Sequence, residues 1–153
     1  MRLAQATVTI DAPIDLVWSV MLDLPAYREW NPFIYRARRS GGETARVGDD
    51  ILLHVKFSSG RRFASPERIT TIDAPANGKA TLEYEFRGPL HVTGLIRGRR
   101  RQALENVGGS TVYRTEERFR GLIGFTVSVA AVQDGFERHA AALKQRVESL
   151  KHV

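Results

Sequence analysis

Apolar and polar residues alternate with a period of two along most of this chain. The alternating runs are Leu3 to Ile10, Phe33 to Arg39, Asp50 to Phe57, Arg62 to Ile72, Ala80 to Phe86, Leu95 to Asn106 and Ser110 to Phe119. That pattern predicts seven strands. Ala4, Ala6, Val8 and Ile10 share one face of the first; Phe33, Tyr35 and Ala37 oppose Arg36 and Arg38 in the second. Ile51, Leu53, Val55 and Phe57 face inward in the third, as do Leu82, Tyr84 and Phe86 in the fifth. Pro66 cannot donate to a ladder, so a bulge or irregular edge is expected in the fourth. Ser40-Gly41-Gly42, Ser58-Ser59-Gly60, a loop from Asp73 to Gly78, and Gly88-Pro89 punctuate the runs. Gly108-Gly109 suits a two-residue hairpin turn.

The period changes in two places. Ile14, Val17, Trp18, Met21 and Leu22 recur at helical spacing, with Asp11 expected as N-cap and Pro13 in the first turn. Pro25 ends that helix, and Tyr27 to Trp30 form a second turn closed by Asn31-Pro32. Near the end, Phe125, Val129, Val132, Phe136, Ala140, Leu143, Val147 and Leu150 trace one long stripe. Gly135 within it costs a helix about 1 kcal/mol relative to alanine, and is expected to leave room for a ligand. These elements predict an α+β fold, a seven-stranded curved antiparallel sheet wrapped around a long C-terminal helix. Two short helices lie between strands 1 and 2. A sheet bent around one helix does not close completely, and the remaining space is a natural ligand cavity.

The segment Ile10 to Phe33, with its Trp30-Asn31-Pro32-Phe33, resembles the opening of the SRPBCC superfamily. Gly94 to Gly124 and the closing Gly135 to Leu150 continue the resemblance in the same order. That superfamily includes START-like lipid carriers, birch-pollen-type allergens, coenzyme-Q-binding proteins and polyketide cyclase/dehydrases. The resemblance implies the helix-grip fold and a shared cavity, not a shared catalytic signature.

Composition narrows the chemistry. A chain of 153 residues is expected to form one domain, 1–153, around one core. It has no cysteine, which removes disulfides, thiolate nucleophiles and Cys-ligated metals and fits a reducing interior. The N-terminus lacks an apolar stretch of signal or membrane-span length, so a cytoplasmic location is expected. The net charge of +6 favours either an anionic partner or simply a solvated basic surface. Arg97, Arg99 and Arg101 point to the convex face and, with Arg36, Arg38, Lys56, Arg61 and Arg62, form a candidate basic stripe. Few aromatics interleave with these arginines, so nucleic acid is not an expected partner.

The hairpin turn sets the register of the last two strands. Arg100 falls opposite Glu117, Gln102 opposite Thr115 and Leu104 opposite Tyr113, all on the concave side. Arg100 and Glu117 are the candidate catalytic residues. The arginine would meet a carboxylate, enolate or phenolate, and the glutamate would orient it or act as a base. The alternative is a buried ion pair that fixes register. Candidate ligand contacts are Trp30, Phe33, Tyr35, Phe57, Tyr84, Phe86, Gln102, Tyr113, Thr115, Phe119 and Phe136. No two of His54, His91, His139 and His152 stand at metal-ligand spacing, so no metal is expected, and no cofactor. His91 is a candidate acid or base; His139 reads as a packing residue. No nucleophile elbow, P-loop or dinucleotide motif is present. The leading expectation is binding or transport of a small hydrophobic ligand such as a lipid, quinone or polyketide-like molecule. A polyketide cyclase/dehydratase-type enzyme comes second, and a macromolecule-binding protein using the convex face third.

Overall fold

A computed structural model describes residues 2–88, 96–121 and 128–151, the side chains of 96, 97, 120 and 121 excepted. Expectations for His91, Phe125, His152 and the Arg97 side chain lie outside the described residues. Strand β1 (Arg2–Ile10) leads into helix α1 (Ile14–Leu22), a 3-10 turn (Leu24–Ala26) and the single turn α2 (Tyr27–Trp30). Strands β2 (Ile34–Arg39), β3 (Asp50–Lys56), β4 (Arg62–Ala76), β5 (Lys79–Phe86), β6 (Ile96–Val107) and β7 (Ser110–Gly121) follow, then helix α3 (Val129–Leu150). All seven strands form one antiparallel sheet in the order β1-β7-β6-β5-β4-β3-β2. The sheet curves around α3, the helix-grip arrangement.

Four local expectations change. Pro13, not Asp11, caps α1: its carbonyl accepts from the N–H groups of Leu16 and Val17, while the Asp11 carboxylate pairs with Lys151. Pro66 sits in an unbroken β3–β4 register, opposite Leu52. Its carbonyl accepts from Arg87, just beyond the last residue of β5, so its missing N–H falls where that ladder ends. The irregularity lies further along, between Ile69 and Thr71. The expected loop from Asp73 to Gly78 is largely strand: β4 runs to Ala76 and turns on Asn77-Gly78, both with positive φ. Finally, a bulge between Ile34 and Arg36 breaks the alternation of β2. Ile34 becomes buried in place of Tyr35, which turns toward His54 and Arg62 instead.

Helix α3 packs along the edge strand β1 and covers its free backbone. Gln133 accepts from the Gln5 N–H, Glu148 from the Asp11 N–H, and Lys144 donates to the Thr9 carbonyl. An edge blunted in this way cannot recruit another strand. The buried stripe of α3 is Val132, Gly135, Phe136, His139, Ala140, Leu143 and Val147. Gly135 does not leave a gap: a Cβ there would lie 2.3 Å from the Phe33 ring, so the glycine is where Phe33 enters. The space once expected for ligand is filled by that ring.

Candidate functional site

The Gly108-Gly109 turn, with both glycines at positive φ, sets the expected register: Arg100 opposite Glu117, Gln102 opposite Thr115, Leu104 opposite Tyr113. One inward row therefore crosses five strands as Ile69, Tyr84, Arg100, Glu117 and Ala4. Although Arg100 and Glu117 face each other, their side chains diverge along the strands. The Arg100 guanidinium leans toward the turn, donating from Nε to Thr115 at 2.9 Å and from Nη2 to Tyr113 at 3.4 Å. Glu117 leans the other way, over Gly98, where a Cβ would meet its Oε2 at 2.7 Å. The expected ion pair is replaced by two separate polar environments, because Gly98 opens the path that Glu117 takes.

Arg100 is 3 % exposed and belongs to a buried network. Besides Thr115 and Tyr113 it donates to the Tyr84 hydroxyl at 2.9 Å and to His139 Nδ1 at 3.4 Å. Its planar face lies 4.3 Å from the Phe136 ring centroid. Burial works against its charge, but Tyr84, Tyr113 and Glu117 outweigh that, so it stays protonated at any working pH. Tyr113 passes the chain on, donating to Gln102 at 2.6 Å. His139 is fully buried, and burial followed by the Arg100 charge lowers its pKa well below the usual histidine value. It is therefore a neutral acceptor at Nδ1, which also receives the Asn31 amide at 3.1 Å. Asn31 accepts at Oδ1 from the N–H groups of Phe33 and Ile34, tying α2, β2 and α3 together. This is the structural content of the Trp30-Asn31-Pro32-Phe33 motif. His139, expected to be a packing residue, is a hinge point of this network.

Beside the network lies a cavity of about 120 Å³. Its walls are aromatic and aliphatic: Phe33, Phe57, Phe119, Val132 and Phe136 among them, with the half-exposed Phe63 stacked on Phe57. Its polar end holds Arg100, Glu117, Tyr84, Ser65 and Glu67. Ser65 and Glu67 share a face of β4, and the Ser65 hydroxyl donates to Glu67 at 2.7 Å. Loss of hydration raises the Glu117 pKa to about 7, the Arg100 charge only partly offsetting it. Glu67 is raised well above the carboxylate range by burial and by the charge of Glu117.

Of the expected contacts, Phe33, Phe57, Tyr84, Phe86, Phe119, Phe136, Arg100 and Glu117 all reach the cavity. Gln102, Tyr113 and Thr115 lie behind Arg100 in its hydrogen-bond network. Trp30 packs edge-on against Tyr27 and His139, and Tyr35 is the unpaired residue of the β2 bulge; neither lines the cavity. Glu67 and Ser65 were missed: they share the parity of Ile69, a signal obscured by the irregularity expected at Pro66. On the convex face, Glu85 pairs with Arg87 and Arg99, and Glu83 with Arg101, so acidic partners dilute the basic stripe. Among the described residues no cluster of three or more His, Asp or Glu is arranged to hold a metal, and no helix is long and apolar enough to cross a membrane.

The curved antiparallel sheet gripping one long helix is the helix-grip fold, shared with START-like structures. This chain belongs to the family described as polyketide cyclase/dehydrase and lipid transport, matched over residues 1–148, and so to the SRPBCC superfamily. A START superfamily protein of Mycobacterium smegmatis is similar at a TM-score of 0.70 and 18% identity, covering 97% of this chain and 98% of that one. The Zhui aromatase/cyclase of a Streptomyces species is similar at 0.69 and 17% identity, covering 96% and 93%. A hypothetical protein of Helicobacter pylori reaches 0.76 at 10% identity, covering 95% and 88%. No curated protein matches the sequence.

Proposed function

We propose that this protein binds a small hydrophobic molecule in the cavity between the sheet and α3, with the ligand's polar group at the Arg100–Glu117–Glu67 end. The observation that carries this reading is the make-up of the lining: mostly aromatic and aliphatic side chains, with Arg100, Glu117 and Glu67 close enough together to perturb one another. Such a lining orients a ligand as well as holding it. A hollow of about 120 Å³ takes one ring or a short chain; an engineered cavity of about 150 Å³ accommodates benzene. A full lipid tail, a quinone or a multi-ring polyketide requires the walls to part. The absence of cysteine supports a cytoplasmic setting for this reading. The test is calorimetric titration with benzyl alcohol, cyclohexanone and short fatty alcohols, repeated on Val132→Trp, which fills the hollow. Saturable binding by the parent and none by the filled variant supports the reading; equal binding by both overturns it.

A second reading, an enzyme of the cyclase/dehydratase type, is favoured by one observation. Glu117 lines the cavity with a pKa of about 7, where a carboxyl exchanges protons most effectively at neutral pH. In that reading the remaining Arg100 N–H polarises a ligand carbonyl while Glu117 removes the adjacent proton. Turnover of a model polyketide that disappears in folded Glu117→Gln separates this enzyme from a carrier.

A further inference from the structure

The polar end of the cavity is not built around its arginine. Arg100 commits four of its five N–H groups to neutral acceptors, Thr115, Tyr84, Tyr113 and His139, and rests its face on Phe136. One N–H remains for an occupant. The two carboxyls are in the opposite condition. Neither Glu67 nor Glu117 forms an ion pair among the described residues; Glu67 has one hydroxyl donor, Ser65, and Glu117 lies over the bare backbone of Gly98. The strands bring them near: Glu67 pairs with Phe86 and Gly98 with Phe119, one step along from the Arg100–Glu117 row, and Glu117 leans into that step. Both carboxyls line the same hollow, which is otherwise aromatic and aliphatic.

We propose that the occupant is a small hydrophobic amine, bound as its ammonium between Glu67 and Glu117 with its hydrocarbon body among Phe33, Phe57, Phe119 and Phe136. The inference rests on the binding reading above and names the ligand class. An ammonium supplies the donors that two carboxylates lack, and its charge is favoured by surrounding ring faces. Once the carboxyls ionise, an anionic ligand meets two groups of its own sign beside one free Arg100 N–H; a neutral acceptor meets that N–H and the O–H of whichever carboxyl is still protonated, but brings no charge to balance the acids. Charge balance gives the pH dependence. Arg100 from β6 acts on both carboxyls, Tyr84 from β5 lines the hollow with them, and Glu85 from β5 acts on Glu67. Arg38, Arg39, Asp50, Arg68 and Arg87 share a surface groove with Glu67; burial makes both carboxyls hold protons to unusually high pH. The ammonium takes the place of proton charge, which leaves to solvent, so binding strengthens as pH rises through the carboxyl range. It weakens again once the ammonium itself begins to lose its proton, which for benzylamine starts below the lysine range because its ring withdraws electrons.

The experiment compares three probes of one skeleton, benzylamine, benzyl alcohol and benzoate, by calorimetry on the full chain at pH 6 to 9 and in two buffers of different ionisation enthalpy. The expected order is benzylamine tightest, by about tenfold or more over the alcohol, with benzoate weakest and protons released on amine binding. Glu67→Gln and Glu117→Gln, checked for folding by circular dichroism, are expected to lose that amine preference while still binding benzyl alcohol. Benzyl alcohol binding as well as the amine, or an amine preference intact in both variants, overturns this inference and leaves the binding reading standing. Benzoate binding tightest returns the polar contact to Arg100 and also overturns it. If none of the three binds, the cavity reading falls and takes this inference with it.

Discussion

Arg100 and Glu117 occupy facing positions in one register, yet one ends in a closed network and the other in an open hollow. On the Arg100 side four of the five guanidinium N–H groups meet buried acceptors, Thr115, Tyr84, Tyr113 and His139. On the Glu117 side the carboxyl has no ion-pair partner among the described residues, and it lies over the place a Cβ would take at Gly98. A guanidinium with four of its five donors satisfied is less costly to bury and held rigid; a carboxyl without an ion-pair partner is left to bind protons or ligands. The difference teaches that residue type alone does not assign a role. The charged group most suggestive of ligand recognition serves the framework, and the neighbouring acids hold the free chemical capacity.

The comparison can be broken most forcefully at the network. Arg100→Leu strips partners from four buried acceptors and is expected to cost about 3–5 kcal/mol, read as a shift of the urea midpoint. A loss below about 1 kcal/mol would mean the network is not structural. The next effect is the pH dependence of stability. Glu117 binds its proton more tightly folded than unfolded, with a folded pKa of about 7. Its contribution is therefore greatest below the unfolded value, about 4.3, and declines as pH rises toward 7, by up to about 3 kcal/mol. Glu67 acts in the same direction. His139 acts in the opposite one: its folded pKa is depressed, so stability is full above about 6.5 and falls on acidification. Glu117→Gln is expected to flatten the decline between pH 5 and 7, measured by urea unfolding at each pH; an unchanged profile would place the carboxyl in water.

A smaller effect is expected at Gly135→Ala. Helix propensity favours alanine by about 1 kcal/mol, but the new methyl would lie 2.3 Å from Phe33. Overpacking costs about 1–3 kcal/mol, so the net change is expected to be destabilising by thermal melting. A stabilised variant would show that Phe33 moves freely into the cavity. The smallest change belongs to the convex face. Arg101 meets Glu83 at 3.8 Å in solvent, and Arg101→Ala is expected to shift stability by less than about 0.5 kcal/mol.

Much of this arrangement was legible before any coordinates. Seven strands and the closing helix follow from periods of two and 3.6, and the diglycine turn fixes which residues of β6 and β7 face each other. The inward set Arg100, Gln102, Thr115 and Glu117 follows from that register. Features that depend on one-residue shifts were not legible: the bulge that turns Tyr35 outward changes no composition, only a count. Pro66 misdirected the reading of β4, because its missing donor matters only if a neighbouring strand is still present to pair with it. Glu67 was lost with it. The divergence of Arg100 and Glu117 could have been suspected from Gly98, which shares their inward parity and offers an empty place, but side-chain lean is decided in three dimensions. Asn31 and His139 are 108 positions apart, and nothing in spacing announces that they meet.

The central claim is that a hollow persists between the sheet and α3, walled by Phe33, Phe57, Val132 and Phe136 and closed at one end by acids. Diffraction from crystals pressurised with xenon tests it most directly, since xenon seeks dry apolar voids of this size. The account predicts one strong anomalous peak among those four side chains, lost in Val132→Trp. A fully packed interior with no xenon there, in a crystal that takes up xenon elsewhere, would contradict it.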